Sequence, residues 1–291
     1  NKRRKSMTEQ PRGIISDKMI DGILADCRLN EAGFKMPAPH CHPYFELFYV
    51  ESGACSFFVD NNVYDLGEGD FLLIPPQLFH YTRYPAGACK RNNIFFRAEH
   101  IDARVRALMP QGESFFAEPR IFQTPEGFRE QITGLLARMF KEERIADGRS
   151  EIMLETLLCQ LLLLCGRECH FVNDLPDDIH TTDRQIVAAA KFISERYMDD
   201  ITAADIACAA GYSPNYLSKK FRETTGTGVH EYLLFTRLQR AALELILTDR
   251  SITDIAAGCG FSDGNYFKDA FKKKYGVTPR AYRKRPPEHI V

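Results

Sequence analysis

The sequence has no large excess of either charge, no long apolar run and no ordered cysteine spacing. Its formal net charge is −1 over 291 residues, which excludes a protein acting through bulk positive or negative charge. Its greasiest stretch, Leu157 to Cys165, is interrupted by Gln160 and falls far short of the about 20 apolar residues that cross a bilayer. No apolar segment follows the basic residues Asn1 to Lys5, so no signal peptide is expected. Nine cysteines, an odd number, follow no regular spacing. That excludes a disulfide framework and points to reduced thiols in the cytoplasm. Cys165, Cys169 and His170 are near enough in sequence to be three metal ligands, but no fourth is at hand. Packing thiols at a helix end is the simpler reading. What remains is an ordinary globular balance, 44% hydrophobic and 26% charged, in a length for one or two domains.

The neutral average hides an asymmetry. Between Gly211 and Arg285 there are 14 Lys and Arg against 7 Asp and Glu, so this end carries +7 and the rest of the chain −8. One end is suited to a polyanion and the other is not. Residues 13 to about 122 read as β structure. Apolar runs at Phe45–Val50, Cys55–Val59, Val63–Leu66 and Asp70–Ile74, with a further one at Asn92–Phe96, are separated by turn residues such as Asp60-Asn61-Asn62 and Pro75-Pro76. Short strands at this spacing predict a sandwich or barrel. From 126 to 170 the period becomes helical. Phe128, Ile132, Leu135, Leu136, Met139 and Phe140 share one face, and Ser150 opens a second helix. In that second helix Leu154, Leu157, Leu161 and Leu164 recur at heptad-like spacing. The helix is apolar almost all round and must be covered on more than one side. Its own core is one candidate cover and a partner subunit the other; the seam predicted from the pattern is Leu154, Leu157, Leu161 and Leu164. Residues 173–182 are polar, contain Pro176 and have no period, as a linker would. With no apolar face there, the two halves should be easily re-placed relative to one another. Expected domains are therefore 1–172 and 183–291.

The last part contains an internal repeat. Asp205-Ile206-Ala207-Cys208-Ala209-Ala210-Gly211-Tyr212-Ser213 is echoed by Asp254-Ile255-Ala256-Ala257-Gly258-Cys259-Gly260-Phe261-Ser262. A further helix follows each copy, over 214–225 and 263–275, with one extra residue in the second turn. A small-residue helix, a glycine turn, a serine cap and a second helix are helix-turn-helix grammar. On the first of these second helices Leu217 and Phe221 share the packing face, while Asn215, Ser218, Lys219 and Arg222 lie opposite. On the next, Phe267 and Phe271 pack, and Asn265, Lys268, Asp269 and Lys272 face out. Asn can pair with adenine, Lys with guanine and Asp with the cytosine amine. A single such face is commonly just solvated; two matching faces in the basic half point to double-stranded DNA. Residues 229–248 form one apolar-striped helix between the copies. Its about 20 residues span about 30 Å, near one turn of B-DNA at about 34 Å.

Over Ile186 to Arg283, and most specifically in Asp254-Ile255-Ala256, Gly260-Phe261-Ser262, Tyr266-Phe267, Phe271-Lys272 and Tyr275 to Arg283, the sequence resembles the AraC/XylS family of transcription regulators. The resemblance implies that Asn215, Ser218 and Lys219, then Asn265, Lys268 and Asp269, read bases. Arg222 and Lys272 are better placed for phosphates. Asp269 stands where a cation is more common; an acid there repels phosphate. The resemblance also implies promoter DNA as partner, RNA polymerase if the protein activates, and a homodimer.

The front half carries His40-Cys41-His42, then Glu46 and Gly53; later come Gly69, Pro75 and His80. These spacings look like the two cupin motifs, with Gln77 standing where a glycine is expected. The fold expected overall is thus a cupin-like β-barrel with two flanking helices, followed by an all-α part with two helix-turn-helix motifs. In a metal-binding cupin the slots of His40, His42, Glu46 and His80 hold one divalent metal. His40 and His42 alternate on one side of a strand, and three imidazoles and a carboxylate suit a transition metal. In AraC-like sensors a similar set often only shapes a ligand pocket. With Tyr44, Phe58 and Tyr64, these residues are where a small molecule is expected, a sugar or similar polar metabolite. The segment Gly13 to Arg28 is expected either to order over the pocket mouth when ligand binds or to be a permanent part of the barrel, as ordered N-terminal strands commonly are. The alternative to a regulator is a metal-dependent cupin enzyme with a helical appendage, which would leave the duplicated motif without a use.

Overall fold

The computed structural model describes residues 22–171 and 183–285. The expected linker at 173–182, and the 13–21 part of the expected arm, lie outside the described residues. Among the described residues the β-rich half has nine strands: β1 (Leu24–Asn30), β2 (Phe45–Ser52), β3 (Cys55–Val59), β4 (Asn62–Leu66), β5 (Asp70–Ile74), β6 (His80–Arg83), β7 (Cys89–Phe96), β8 (Arg120–Gln123) and β9 (His170–Phe171). They form a six-stranded sheet in the order β1-β7-β2-β5-β8-β9 and a three-stranded sheet β4-β3-β6. All pairings are antiparallel. The two sheets face each other but are not closed: only isolated bridges, Lys35 to Arg83 and His40 to His80, approach the free edge of β6. The expected barrel is therefore an open sandwich. Residues 24–28 of the expected arm are not a separate lid; they are paired with β7 inside the large sheet.

Three helices follow within this half: α1 (Ala103–Leu108), α2 (Arg129–Ile145) and α3 (Ser150–Glu168). Their cover explains why β2 reads as one continuous apolar run. Phe45, Leu47 and Tyr49 pack under α2 and α3, whereas Phe48 and Val50 pack against the small sheet. A strand covered on both faces has no reason to alternate. On α3 the heptad leucines turn inward. Leu154, Leu157 and Leu161 are buried in this half's own core, and Leu164 is partly buried against it. The large apolar side chains that α3 shows to solvent are Ile152, Met153 and Leu163. The predicted seam of Leu154, Leu157, Leu161 and Leu164 is thus corrected, because a helix sandwiched between a sheet and α2 uses its richest stripe internally.

The helical half comprises α4 (Arg184–Arg196), α5 (Ala203–Ala209), α6 (Pro214–Thr225), α7 (Val229–Leu247), α8 (Ile252–Gly258), α9 (Gly264–Tyr275) and α10 (Pro279–Lys284). The expectation that nothing apolar holds the halves together is overturned. Phe58, Val63, Phe79 and Tyr81 from the small sheet and its flank share one buried cluster with Ile186, Phe221, Val229 and Tyr232 from the helices. The Tyr232 hydroxyl donates to the Asp60 carbonyl and, at 2.9 Å, to Asn61 Oδ1. Beside it Asp183, at the start of α4, is 5% exposed. It accepts from Arg83 of β6, from Lys220 Nζ at 2.8 Å and from Thr224 Oγ1 at 3.0 Å. Burial pushes the Asp183 carboxyl up, but these partners outweigh it and hold it below the ordinary range. Gly226, the left-handed C-cap of α6 at φ 76°, sits so close to β6 that a Cβ would lie 2.5 Å from the Tyr81 ring. The first helix-turn-helix is fused to the small sheet by aromatic packing that linker composition cannot reveal.

Candidate functional site

Two sites emerge, one on the helices and one between the sheets. In each helix-turn-helix copy a capping residue opens the short helix. Thr202 accepts from the Asp205 N–H, and Ser251 from the Asp254 N–H. The turns match: the Tyr212 N–H donates to Ala207 O at 2.9 Å, and the Phe261 N–H to Ala256 O at 3.0 Å. Between them Gly211 and Gly260 take φ of 68° and 81°. At Gly260 a Cβ would come within 2.7 Å of Tyr197 O, so the turn requires glycine. The two outer helices differ at their caps. Ser213 caps α6, but the inserted residue moves the cap of α9 from Ser262 to Asp263, which accepts from the Asn265 and Tyr266 N–H groups.

Beyond those caps the two helices present the same arrangement. Leu217 and Phe221 of α6, and Phe267 and Phe271 of α9, are buried. Asn215, Ser218, Lys219 and Arg222, and Asn265, Lys268, Asp269 and Lys272, are all exposed. The structure therefore places all eight residues expected to meet DNA on open faces, and docking of the β-rich half covers neither face. Arg222 is shared, lying 3.7 Å from Glu231. Sequence reasoning passed over Tyr216 and Tyr266, which stand at equivalent places beside the reading faces and are 52% and 55% exposed. Large aromatics exposed in both copies were a readable signal. Lys274 goes the other way: it lies 3.2 Å from the centre of the Phe235 ring, and burial pulls it down to about 7. It belongs to the packing of α7 on α9.

The second site is a cavity of about 650 Å³ between the sheets, lined by His40, Glu46 and His80 among others. His40 is placed by a reciprocal backbone pair with His80, at 3.1 and 2.9 Å. Nδ1 of His42 lies 3.0 Å from Tyr44 O, and Nδ1 of His80 lies 2.9 Å from Leu78 O. A carbonyl can only accept, so each Nδ1 carries a proton. In a neutral ring Nε2 is then a bare lone pair. Both Nε2 atoms face Glu46 Oε2, at 3.2 and 3.3 Å. Burial pushes the Glu46 carboxyl up, but the two imidazoles outweigh it and hold it well below the carboxylate range. Lone pairs facing a carboxylate need a cation between them, either protons on the rings or a metal ion. The ligand atoms of His40, His42 and His80 lie within 4.8 Å of one another. Burial and His80 lower His40 to about 3, leaving it neutral. His40 Nδ1 and His80 Nε2 have no hydrogen-bond partner. Nδ1 protons donated to carbonyls are the support that metal-bound imidazoles ordinarily have, so the donor set fits a divalent transition metal.

A second group, His100 with Glu151 and Glu155, also gathers ligand atoms. There His100 Nδ1 accepts from the Arg97 N–H, which puts the neutral ring's proton on Nε2 and disfavours a metal. Cys165 and Cys169 are buried packing residues that share a hydrogen bond, while His170 is exposed. Gln77, where the cupin pattern has glycine, takes φ of 65° and links the pocket to the helices. Its N–H donates to His42 O at 2.8 Å and its carbonyl accepts from Gln239 of α7 at 3.2 Å.

Not every residue expected in the pocket reaches it. Phe58 belongs to the cluster shared with the helices, Tyr64 packs on the core between the sheets, and Tyr44 packs beside His42 and under Arg97. None of the three lines the cavity, and His42 stands behind it. The lining adds Arg28 and Asn30 from β1, Phe48 from β2, and Arg91, Asn93 and Phe95 from β7.

Comparison with known proteins bears on the two halves of the chain. A family model described as an AraC-like ligand binding domain matches residues 28–162, and a helix-turn-helix domain model matches 206–285. The HTH-type transcriptional activator RhaS of Klebsiella pneumoniae is 25% identical over 267 residues, covering 91% of this chain and 92% of that protein. RhaS of Escherichia coli O1:K1 is 25% identical over 263 residues, 90% and 91% of the two chains. The crystal structure of a transcriptional regulator with an AraC-type DNA-binding domain from Chromobacterium violaceum is 31% identical. It covers 36% of this chain and 96% of that one, with a TM-score of 0.34. The RhaS relatives are named transcriptional activators, so the alternative of a cupin enzyme is not favoured. Among the described residues no helix is long and apolar enough to cross a membrane. The chain belongs to the AraC family of DNA-binding transcription regulators and carries that family's ligand-binding domain ahead of its helix-turn-helix half.

Proposed function

We propose that α6 and α9 enter successive major grooves of a promoter on one face of the duplex, and that an effector in the inter-sheet cavity controls this binding. The carrying observation is the pair of matched, exposed reading faces on helices whose opposite faces are buried. The 19 residues of α7 separate the two units by about 28 Å, which suits neighbouring grooves. Asn215, Ser218, Lys219, Asn265, Lys268 and Asp269 read base edges, and Arg222 and Lys272 meet phosphates. The RhaS relatives are named activators; activation by this chain would bring it against RNA polymerase, in the cytoplasm. A second copy packs on the outer face of α3, on Ile152, Met153 and Leu163.

DNA recovered from a random duplex pool by the purified protein provides the test. Asn215→Ala or Lys219→Ala should weaken that site by about 1–3 kcal/mol and relax preference at one position. Lys272→Ala should weaken all sequences alike and lower the salt slope by about 1. An Asn215→Ala protein with unchanged affinity and preference in fluorescence anisotropy would remove the assigned face.

His40, His42, Glu46 and His80 would hold a divalent metal, which when bound supplies a Lewis-acid anchor for an effector oxygen. Cobalt added to the metal-stripped protein should give the visible absorption of a nitrogen- and oxygen-ligated ion. His80→Ala should lose it; equal spectra from both proteins would place the cobalt elsewhere.

A further inference from the structure

We propose that Tyr216 and Tyr266 are DNA contacts: each phenol donates a hydrogen bond to a backbone phosphate at the wall of the major groove and so fixes how its helix sits there. The inference rests on the reading of α6 and α9 as the helices that enter DNA, and adds a matched pair of residues that orient them.

The chain has twelve tyrosines, all of them among the described residues, and only these two are exposed; the others are buried or half-buried. A single exposed ring is ordinary on any protein surface. Two at the same place in both copies of a repeat are not explained that way. Each is the third residue of its helix: Pro214-Asn215-Tyr216 follows the Ser213 cap, and Gly264-Asn265-Tyr266 follows the Asp263 cap. In both copies the backbone N–H of the tyrosine donates to the cap, at 3.4 Å to Ser213 Oγ and 3.3 Å to Asp263 Oδ1. Each ring also meets the aromatic of its own turn. The centre of Tyr216 lies 4.7 Å from that of Tyr212, and the centre of Tyr266 lies 6.3 Å from that of Phe261. A ring on two rotatable bonds, supported on one side, gives up little freedom when it meets a partner.

The two copies differ where sequence is read and agree at the tyrosines. Ser218 and Lys219 of α6 become Lys268 and Asp269 in α9, as two helices on different base pairs require. Asn215 and Asn265 recur unchanged, and so do Tyr216 and Tyr266. Position on the helix separates these two recurring types. At about 100° per residue, the asparagine stands about 40° before the Lys219 or Asp269 slot, within the reading arc, and the tyrosine about 60° past it, on the rim. An amide within the arc can pair with adenine. A side chain at the rim meets what is the same at every site, the sugar–phosphate wall. Neutral side chains, tyrosine among them, make such phosphate contacts, and these set register and orientation. A phenol suits α9 in particular. Asp269, three residues on and on the same side of the helix, repels phosphate, and it would pair with a lysine placed at 266. A neutral donor escapes that pairing and still reaches the phosphate.

The test uses the full-length protein, the duplex selected from the random pool and its single-base variants, with anisotropy read over a series of salt concentrations. Tyr216→Phe and Tyr266→Phe keep the ring and remove only the donor. Each should weaken binding about threefold to tenfold, by the same factor on every duplex. The salt slope should not move, because a neutral donor releases no counterion. Thermal unfolding of both variants should match the wild type, which a structural role for the hydroxyl would not give. Tyr216→Lys puts a cation at the same phosphate. It should recover at low salt the affinity that Tyr216→Phe loses, and steepen the salt slope by about 0.9. Phe variants that bind as the wild type does, or a Tyr216→Lys protein with an unchanged slope, would overturn the inference. So would a loss confined to one base position, which would put the ring on a base edge such as a thymine methyl. Lys219→Ala and Lys272→Ala, measured alongside, separate this contact from the reading beneath it. If they weaken binding and the Phe variants do not, only the tyrosine contacts fall; if all four bind as the wild type does, the reading of α6 and α9 falls with them.

Discussion

Tyr232→Ala should split the unfolding of this protein into two transitions and cost about 3–5 kcal/mol, the usual loss for a large aromatic removed from a core. Tyr232 is 2% exposed and meets the rings of Phe58 and Phe79 from the β-rich half and Phe221 and Phe235 from the helices. Its loss opens a hole at the point where the two halves share one core. Tyr232→Phe removes only the hydroxyl bonds to Asp60 and Asn61 and should cost about 0.5–1.5 kcal/mol with a single transition retained. Scanning calorimetry distinguishes these outcomes; one unshifted transition in Tyr232→Ala would mean that the halves are not joined there. Acid should loosen the same joint. The partners of Asp183 depress its carboxyl below the ordinary range. Its contribution is therefore full above the unfolded value of about 3.9 and is lost as the pH falls through the lower folded value.

This joint changes how sensing reaches DNA. The first helix-turn-helix cannot swing freely about a linker, because the small sheet supplies part of its core. The second has a core of its own, built from α7 to α10 around Leu238, Ile255, Phe267 and Tyr282. The pocket touches the arrangement through Gln77, which bonds His42 on one side and Gln239 of α7 on the other. A ligand regulates only through its difference in affinity for two arrangements. The contact between Gln77 and α7 is where such a difference can bias the second unit against the fixed first one.

The helical half was legible in the sequence because its rules are local. Capping residues, glycine turns and a 3.6-residue period all act within one turn of helix, and the repeat states each of them twice. The His40, His42 and Glu46 set was legible for the same reason, since these residues lie within seven positions. Arg28, Asn30, Arg91 and Asn93 were not. The apolar run read as a strand begins at Asn92, one residue past Arg91. Only pairing with β1, about sixty residues earlier, buries it and sets Arg28 across from it. Phe58 was misplaced because an apolar strand position shows that something covers it and not which element does. The α3 seam failed on the same ground: periodicity identifies a buried stripe but is silent on whether the cover is a partner or the chain's own sheet.

Leu161→Glu should therefore unfold the β-rich half, whereas Leu163→Glu should leave it folded. Leu161 is 0% exposed under α2 and the large sheet. A carboxylate there has no cation to meet, and leaving a buried charge unpaired costs several kcal/mol, a large share of the stability of a typical domain. Leu163, two residues on and across the helix, is 40% exposed. A glutamate there stays in water in the single chain and becomes buried only if a second copy packs on Ile152, Met153 and Leu163. Circular dichroism reads the fold, and sedimentation of the full chain reads its mass. The expected pair of results is loss of structure in Leu161→Glu and a folded monomer in Leu163→Glu. A folded monomer from Leu161→Glu would return the subunit seam to the heptad leucines. A Leu163→Glu protein that sediments as the wild type does would take the seam off this face of α3 altogether.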